Sequence, residues 1–172
     1  MIEINNQENR KNSSSRDINI RLACIEDGLD NIGFRKISAY IKSIHPNTKV
    51  AYVPVGNLRS LIKIIIEKGA GELTEKDIHS VAKFLAESDL VGLSSMTQYS
   101  STVYRIIDKI RQLNPSTYIV WGGIHPIIEP EDAIKYADAV CTGEGEFAFK
   151  NFLELFKNGK DYTTAPSFWF KK

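Results

Sequence analysis

Short apolar segments alternate with amphipathic segments along this chain, and that alternation constrains the fold more than any other feature. Apolar runs of roughly four to eight residues bounded by turn residues are typical of strands. Leu90–Ser94 (LVGLS) shows no polar alternation, as expected for a strand that is covered on both faces. Five segments are predicted to be strands, namely Ile18–Ile25, Lys49–Pro54, Leu90–Ser94, Tyr118–Trp121 and Ala139–Thr142.

The segments between the strands have helical periodicity. Phe34, Ile37 and Ile41, for example, recur at the spacing of one helix face. Strands that alternate with helices predict an α/β fold with a doubly wound, five-stranded parallel sheet in the flavodoxin-like strand order 2-1-3-4-5. The predicted helices are residues 34–45, Leu58–Lys68, Glu75–Glu87, Ser101–Leu113, a helix that Pro130 opens, and Phe147–Phe156.

The charge balance excludes several classes of partner. The 172 residues carry 22 basic and 21 acidic side chains, which leaves no electrostatic footprint for nucleic acid or an anionic membrane. No apolar run approaches the roughly 18 residues that span a bilayer.

Residues 1–17 are predicted to be a disordered polar leader, and residues 18–158 a single domain. Cys24 and Cys141 lie in apolar runs, which favours reduced core thiols in a cytoplasmic protein.

The candidate site lies where the predicted strands end, because ligands of such sheets bind beyond the carboxyl ends of the strands. Gly122 and Gly123 end the fourth strand, and glycine lets a ligand lie directly against the backbone. The pair therefore makes room for a large or flat ligand, or else forms a tight turn. Ser94, Ser95 and Thr97 follow the third strand as hydrogen-bond donors, without the adjacent base that a nucleophile needs.

Two other features of the same edge have ordinary explanations. Residues 143–148 (GEGEFA) match the dinucleotide pattern G-x-G-x-x-A, but Glu144 and Glu146 would repel a pyrophosphate and suit the amino end of a helix instead. His125 either contacts a ligand or is a turn residue before proline. The sequence has no H-E-x-x-H, C-x-x-C, P-loop or G-x-S-x-G motif, so no catalytic residue and no metal ligand set is predicted.

Three loop motifs together resemble a known family. The chain is similar to the cobalamin-binding domain at the amino end of many radical S-adenosylmethionine enzymes, closely over Leu90–Phe156 and more loosely over Ile18–Pro54. The combination of motifs at this spacing is more specific than any one of them. The motifs are S-x-M-T at Ser94–Thr97, G-G-x-H-P at Gly122–Pro126 and G-E-G-E at Gly143–Glu146.

The resemblance implies a Rossmann-like domain that holds the corrin of cobalamin over the carboxyl ends of the strands. The nucleotide tail of the cofactor would enter a cleft beside strands one, three, four and five. The cofactor-binding residues that the resemblance implies are Asp30, Gly33, Ser94, Met96, Thr97, Gly122, Gly123, His125, Gly143, Glu144 and Gly145.

Two departures from the family pattern refine this expectation. Many cobalamin domains carry D-x-H-x-x-G after the first strand, and its histidine ligates cobalt. Counting back from Gly33 places Asp30 at that histidine, and carboxylate is a poor ligand beside imidazole. The resemblance therefore implies base-off binding, in which neither the tail base nor a histidine ligates cobalt. The cluster motif C-x-x-x-C-x-x-C is also absent, and APSFWFKK resembles the link that precedes a radical barrel.

The chain is accordingly interpreted as a fragment of a longer enzyme, with residues 159–172 as a linker toward a radical barrel domain of the same parent chain. That barrel would hold S-adenosylmethionine and a 4Fe-4S cluster, and the fragment would not be catalytic alone. Methyl transfer is the reaction that the resemblance implies for the parent enzyme.

Two alternatives stay open, a cofactor-free interaction module and a flavin- or nucleotide-binding enzyme. The acidic loop EDGLDNIG disfavours the second.

Overall fold

A computed structural model describes residues 17–27, 31–55 and 73–172 of the chain. In this part of the chain, six strands form one sheet in the order β2-β1-β3-β4-β5-β6. The first five strands run parallel and β6 pairs with β5 in the antiparallel direction. The strands are β1 (Ile20–Ile25), β2 (Lys49–Val53), β3 (Leu90–Ser95), β4 (Tyr118–Gly122), β5 (Ala139–Cys141) and β6 (Phe168–Phe170).

Six α-helices are described, and the helix predicted at Leu58–Lys68 lies outside the described residues. Asn31 caps the first helix, since its side chain accepts a hydrogen bond from the Phe34 amide. Thr74 and Asp77 form a capping box at the start of the second helix. The helices are α1 (Ile32–Ile44), α2 (Glu75–Ala86), α3 (Ser100–Leu113), α4 (Ile124–Ile128), α5 (Pro130–Ala133) and α6 (Gly145–Lys157).

The alternation of side chains along each strand divides the interior into two layers. In β3, Val91 and Leu93 pack with the core beneath α2 and α3, whereas Leu90 packs with the core beneath α1 and α6. Because both faces of the sheet are covered, its central strands are apolar without alternation, as the sequence of β3 predicts. The α1 and α6 layer is the one that carries the site.

The predicted α/β class is confirmed, but the sheet differs from the predicted five-stranded order 2-1-3-4-5, because a sixth, antiparallel strand follows β5 at its edge. The sixth strand lies within the segment predicted to be a linker, where Phe168 pairs with Cys141 and Phe170 with Ala139. Only three residues form this edge strand and Trp169 is 45% exposed, so neither length nor alternation marks it in the sequence. Among the described helices, none has the length and apolar character to cross a membrane.

Candidate functional site

The carboxyl edge of the sheet holds a cleft of about 530 Å³ that lies between α1 and α6. Leu22 of β1, Gly92 of β3 and Val120 of β4 form its floor, and all three lie on the sheet face that α1 and α6 cover. Phe34 of α1 and Phe149 of α6 line its walls. The cleft reaches three residues below the end of β3, so it is a deep slot beside four strands rather than a shallow depression.

Gly122 and Gly123 have different structural roles at this cleft, although they are neighbours in the sequence. A β-carbon on Gly122 would meet nothing nearer than Cys141 Cβ at 3.7 Å, so its missing side chain leaves open space in the cleft. Gly123 has φ +95°, and a β-carbon there would lie 2.7 Å from the Ser95 carbonyl oxygen. Glycine is therefore needed at position 123 because of the backbone conformation there. At position 122 the backbone would accept a side chain, and glycine serves only to keep the cleft open.

Apolar side chains surround the mouth of the cleft. Met96, Ile124 and Ile127 line it and are 43 to 49% exposed. Ile32, next to the cleft-lining Gly33, and Phe147, next to the cleft-lining Glu146, are also exposed but do not line the cleft themselves. Exposed apolar side chains concentrated at one edge of a domain mark a surface that binds something. Ile124 and Ile127 are not among the residues predicted from the sequence, because that prediction rested on the glycine and polar residues of their loop.

The charged residues that line the cleft in the described part of the chain are all acidic, namely Glu26, Asp27 and Glu146. Glu26 is 8% exposed, and its Oε2 accepts a hydrogen bond of 2.7 Å from Asn31 Nδ2. Burial raises the pKa of the Glu26 carboxyl, and the Asn31 hydrogen bond opposes that rise. Lys36 Nζ lies 3.8 Å from Glu146 Oε1, and Lys36 is not one of the residues that line the cleft. Among the described residues, the lining of the cleft thus offers carboxylate acceptors and no cation to a ligand.

The structure brings together most of the residues that the family resemblance implies for the site. Thr97 does not line the cleft and is exposed at the start of a 3-10 turn, and Glu144 is exposed as the residue before α6. Asp30 lies outside the described residues. Seven of the implied residues line the cleft, namely Gly33, Ser94, Met96, Gly122, Gly123, Gly143 and Gly145.

His125 lies in the core rather than in the cleft. It is 3% exposed, its ring centroid is 4.8 Å from that of Trp121, and Trp121 packs under α2 and α3 on the opposite face of the sheet. Tyr104 donates its hydroxyl proton to Asp132, so His125 Nε2, at 3.3 Å, is the donor to the Tyr104 oxygen. The hydrogen bond that Tyr104 donates lowers the pKa of Asp132, while burial raises the pKa of Tyr104. The group holds the loop after β4 in place.

The described residues contain no cluster of histidine, cysteine and carboxylate side chains that could hold a metal ion. The two thiols are free and buried. Burial raises the pKa of Cys24 to about 12, with the nearby Glu26 carboxylate adding to the effect, and burial also raises the pKa of Cys141. Both are neutral thiols near neutral pH, and they act as small apolar groups on the α1 and α6 side of the sheet.

A doubly wound sheet with a deep apolar cleft at its carboxyl edge defines an α/β domain that binds a large cofactor. The family model described as the B12 binding domain matches residues 20–153 of this chain. The chain belongs to the B12-binding domain family, whose cofactor is cobalamin.

Two curated relatives carry methyltransferase names. An uncharacterised methyltransferase of Pyrococcus horikoshii is 30% identical over 100 residues, which is 56% of this chain and 22% of the relative. The bacteriochlorophyllide d C-8(2)-methyltransferase of Chlorobaculum tepidum is 28% identical over 89 residues, which is 52% of this chain and 19% of the relative. The chain thus spans about a fifth of the length of these relatives. The crystal structure of the amino-terminal domain of a hypothetical protein of Thermotoga maritima is 25% identical, with a TM-score of 0.39 over 57% of this chain and 82% of that one.

Proposed function

We propose that this domain binds cobalamin base-off, as the cofactor-binding part of a radical S-adenosylmethionine methyltransferase. The observation that carries the proposal is the cleft itself, which runs from an apolar mouth down to Leu22 and Gly92 on the sheet floor. Its volume of about 530 Å³ falls within the range of roughly 300 to 1,000 Å³ that small-molecule and cofactor sites occupy.

The residues of the cleft fit the parts of cobalamin by their chemistry. The slot between Phe34 and Phe149 suits a flat aromatic base such as that of the nucleotide tail. Gly122 leaves the space through which the tail would pass, and Ser94 offers a hydroxyl beside it. Met96 and the isoleucines of α4 offer an apolar surface to the corrin. When bound, cobalamin would supply the methyl-carrying cobalt centre, and this chain would supply binding and orientation.

Base-off binding is supported by the slot between Phe34 and Phe149, which would hold the tail base away from cobalt. Binding without a histidine ligand is supported by the described lining of the cleft. No histidine is among the described residues that line it, since His125 is buried on the other face of the sheet. The thiols are neutral, and the buried carboxylate of Glu26 is hydrogen-bonded to Asn31. Cobalt would therefore receive no imidazole from these residues.

The methyltransferase assignment is supported by the two relatives with that name. The radical S-adenosylmethionine assignment is supported by three loop motifs that resemble those of such enzymes. Because the chain covers about a fifth of those relatives, the reaction belongs to residues beyond the matched segment. The partner of this domain would be a radical barrel of the same parent chain, which would hold S-adenosylmethionine and the 4Fe-4S cluster.

Electron paramagnetic resonance of bound cob(II)alamin tests the axial ligation. An axial nitrogen splits the signal of the unpaired electron, and free cob(II)alamin near neutral pH, in which the tail base ligates cobalt, provides the control. The domain-bound cofactor is expected to lose the nitrogen splitting. A bound signal that keeps the splitting would show a nitrogen ligand and would contradict base-off binding without histidine.

A further inference from the structure

Glu26 is the one charged residue among those that line the cleft and are at least nine-tenths buried in the described chain. It follows β1 directly, and the alternation of that strand places it on the same face as Leu22 and Cys24, the face of the cleft. Most of the residues that line the cleft with it are apolar or glycine. A carboxylate in such a place requires a partner for each of its oxygens.

The fold fixes which atom of the Asn31 side chain faces Glu26. The Phe34 amide donates to Asn31 Oδ1 at 2.7 Å, which sets the orientation of the Asn31 side chain as the cap of α1. Asn31 Nδ2 must therefore face Glu26, and it donates to Oε2 at 2.7 Å. Glu26 Oε1 is the oxygen that is left for a ligand.

The surroundings of Glu26 do not explain why an acidic side chain is placed there. No lysine or arginine is among the described residues that line the cleft, and its neighbours Cys24 and Asp27 are a neutral thiol and another acid. Burial raises the pKa of Glu26, so the folded domain holds its carboxylate at a cost in stability. The same lack of cations means that the group that meets Glu26 is not a phosphate, since two anions would repel.

We propose that Glu26 is a specificity-determining residue of the cofactor site and that its Oε1 accepts a hydrogen bond from a neutral donor of the cofactor. The donor is an N–H of a corrin carboxamide or the hydroxyl of the tail ribose, which share this chemistry. The inference rests on the proposed cobalamin binding and adds a named contact to it. Hydrogen bonds to a carboxylate are stronger than neutral ones, so this contact would contribute to affinity.

The variant Glu26→Gln tests the contact because it changes one atom type without changing size. Asn31 can only donate, so the glutamine must turn its oxygen toward Asn31 and its NH₂ group toward the ligand donor. Two donors then face each other. We expect affinity for hydroxocobalamin to fall about tenfold. Glu154→Gln on the outer face of α6, where Glu154 pairs with Lys150 at 3.7 Å, is the control with the same charge change and should bind as the unsubstituted domain does.

Cobinamide, which keeps the corrin carboxamides and lacks the nucleotide tail, distinguishes the two donors. Weaker binding of both probes to Glu26→Gln assigns the contact to a carboxamide, and weaker binding of hydroxocobalamin alone assigns it to the ribose. Unchanged affinity for both probes, with the unsubstituted domain binding well, overturns the inference and leaves the proposed function intact. A failure of the unsubstituted domain to bind either probe overturns the proposed function and this inference with it.

The stability of the cofactor-free domain separates this role from a structural one. A carboxyl whose pKa is raised by folding contributes stability below its unfolded pKa and loses that contribution as pH rises through the folded pKa. Glu26→Gln should therefore be at least as stable as the unsubstituted domain at about pH 7, with the difference vanishing in acid. Denaturant unfolding at both pH values measures this. A less stable variant at neutral pH would show that Glu26 serves the fold instead.

Discussion

Gly122→Leu is expected to remove cobalamin binding while the domain stays folded. Gly122 ends β4 on the face of the cleft, opposite Ser94 of β3. The first carbon of a side chain there makes only ordinary contacts, 3.7 Å to Cys141 Cβ and 3.9 Å to the Leu93 carbonyl oxygen. The remaining carbons of leucine would project into the space that the tail is proposed to occupy. We expect affinity to fall by roughly 100-fold or more, which is about 2.7 kcal/mol, with the unfolding midpoint close to that of the unsubstituted domain.

Gly122→Ala gives the graded control for this prediction. Its single methyl group fits the empty cleft without displacing protein atoms, so it should lower affinity less than leucine does and leave stability unchanged. Spectral titration measures affinity, and denaturant unfolding measures the free energy of unfolding. Gly122→Leu that binds cobalamin as tightly as the unsubstituted domain would place the cofactor outside this cleft.

Gly123→Ala is expected to produce the opposite pattern, with a large loss of stability. Its φ of +95° is a conformation that residues with side chains rarely adopt. Its β-carbon would lie 2.7 Å from the carbonyl oxygen and 2.8 Å from the amide nitrogen of Ser95. Both atoms belong to the backbone of β3, so no side chain can rotate to relieve the contact. Strain of this kind costs on the order of 2 to 3 kcal/mol in the free energy of unfolding.

Gly159→Ala is the matched control for backbone strain. Gly159 also has a positive φ, +62°, but no atom lies within 4 Å of the position of its β-carbon. A left-handed conformation without a contact costs alanine about 1 kcal/mol. Denaturant unfolding of both variants compares the two positions. Equal losses at Gly123 and Gly159 would show that the approach to Ser95 does not limit the loop after β4.

The order of the parallel strands could be predicted from sequence because each apolar run is bounded by turn residues and followed by a helix. The sixth strand could not, since Phe168–Phe170 has three residues and its pairing with β5 is a long-range contact. Antiparallel pairing of so short a segment depends on a neighbour that the local sequence does not reveal.

The candidate site was predictable at the level of loops but not of side chains. The ends of β3, β4 and β5 do meet at one edge, as parallel strands require. The face of the sheet on which a loop residue lies depends on the direction in which the chain leaves the strand. For this reason His125 packs on Trp121 in the opposite layer, although Gly122 and Gly123 line the cleft.

The position of Glu26 follows from the alternation of side chains along β1. Glu26 continues the alternation of Leu22 and Cys24 past the end of β1, so it lies on their face. From the sequence, its loop is interpreted as acidic and is matched to the cobalamin motif through Asp30 and Gly33, and Glu26 itself is not among the predicted site residues. The structure places Glu26 and Asp27 of that loop in the lining of the cleft, so a phosphate that lay against the end of β1 would be repelled.

The central claim is that this cleft binds cobalamin, and a visible-spectrum titration of the purified chain with hydroxocobalamin and methylcobalamin tests it most directly. We predict a shift to the base-off spectrum that saturates at one equivalent of cofactor, and its loss in Gly122→Leu. A titration that leaves the spectrum unchanged at concentrations far above micromolar would contradict the claim and favour a domain that keeps this fold without its cofactor.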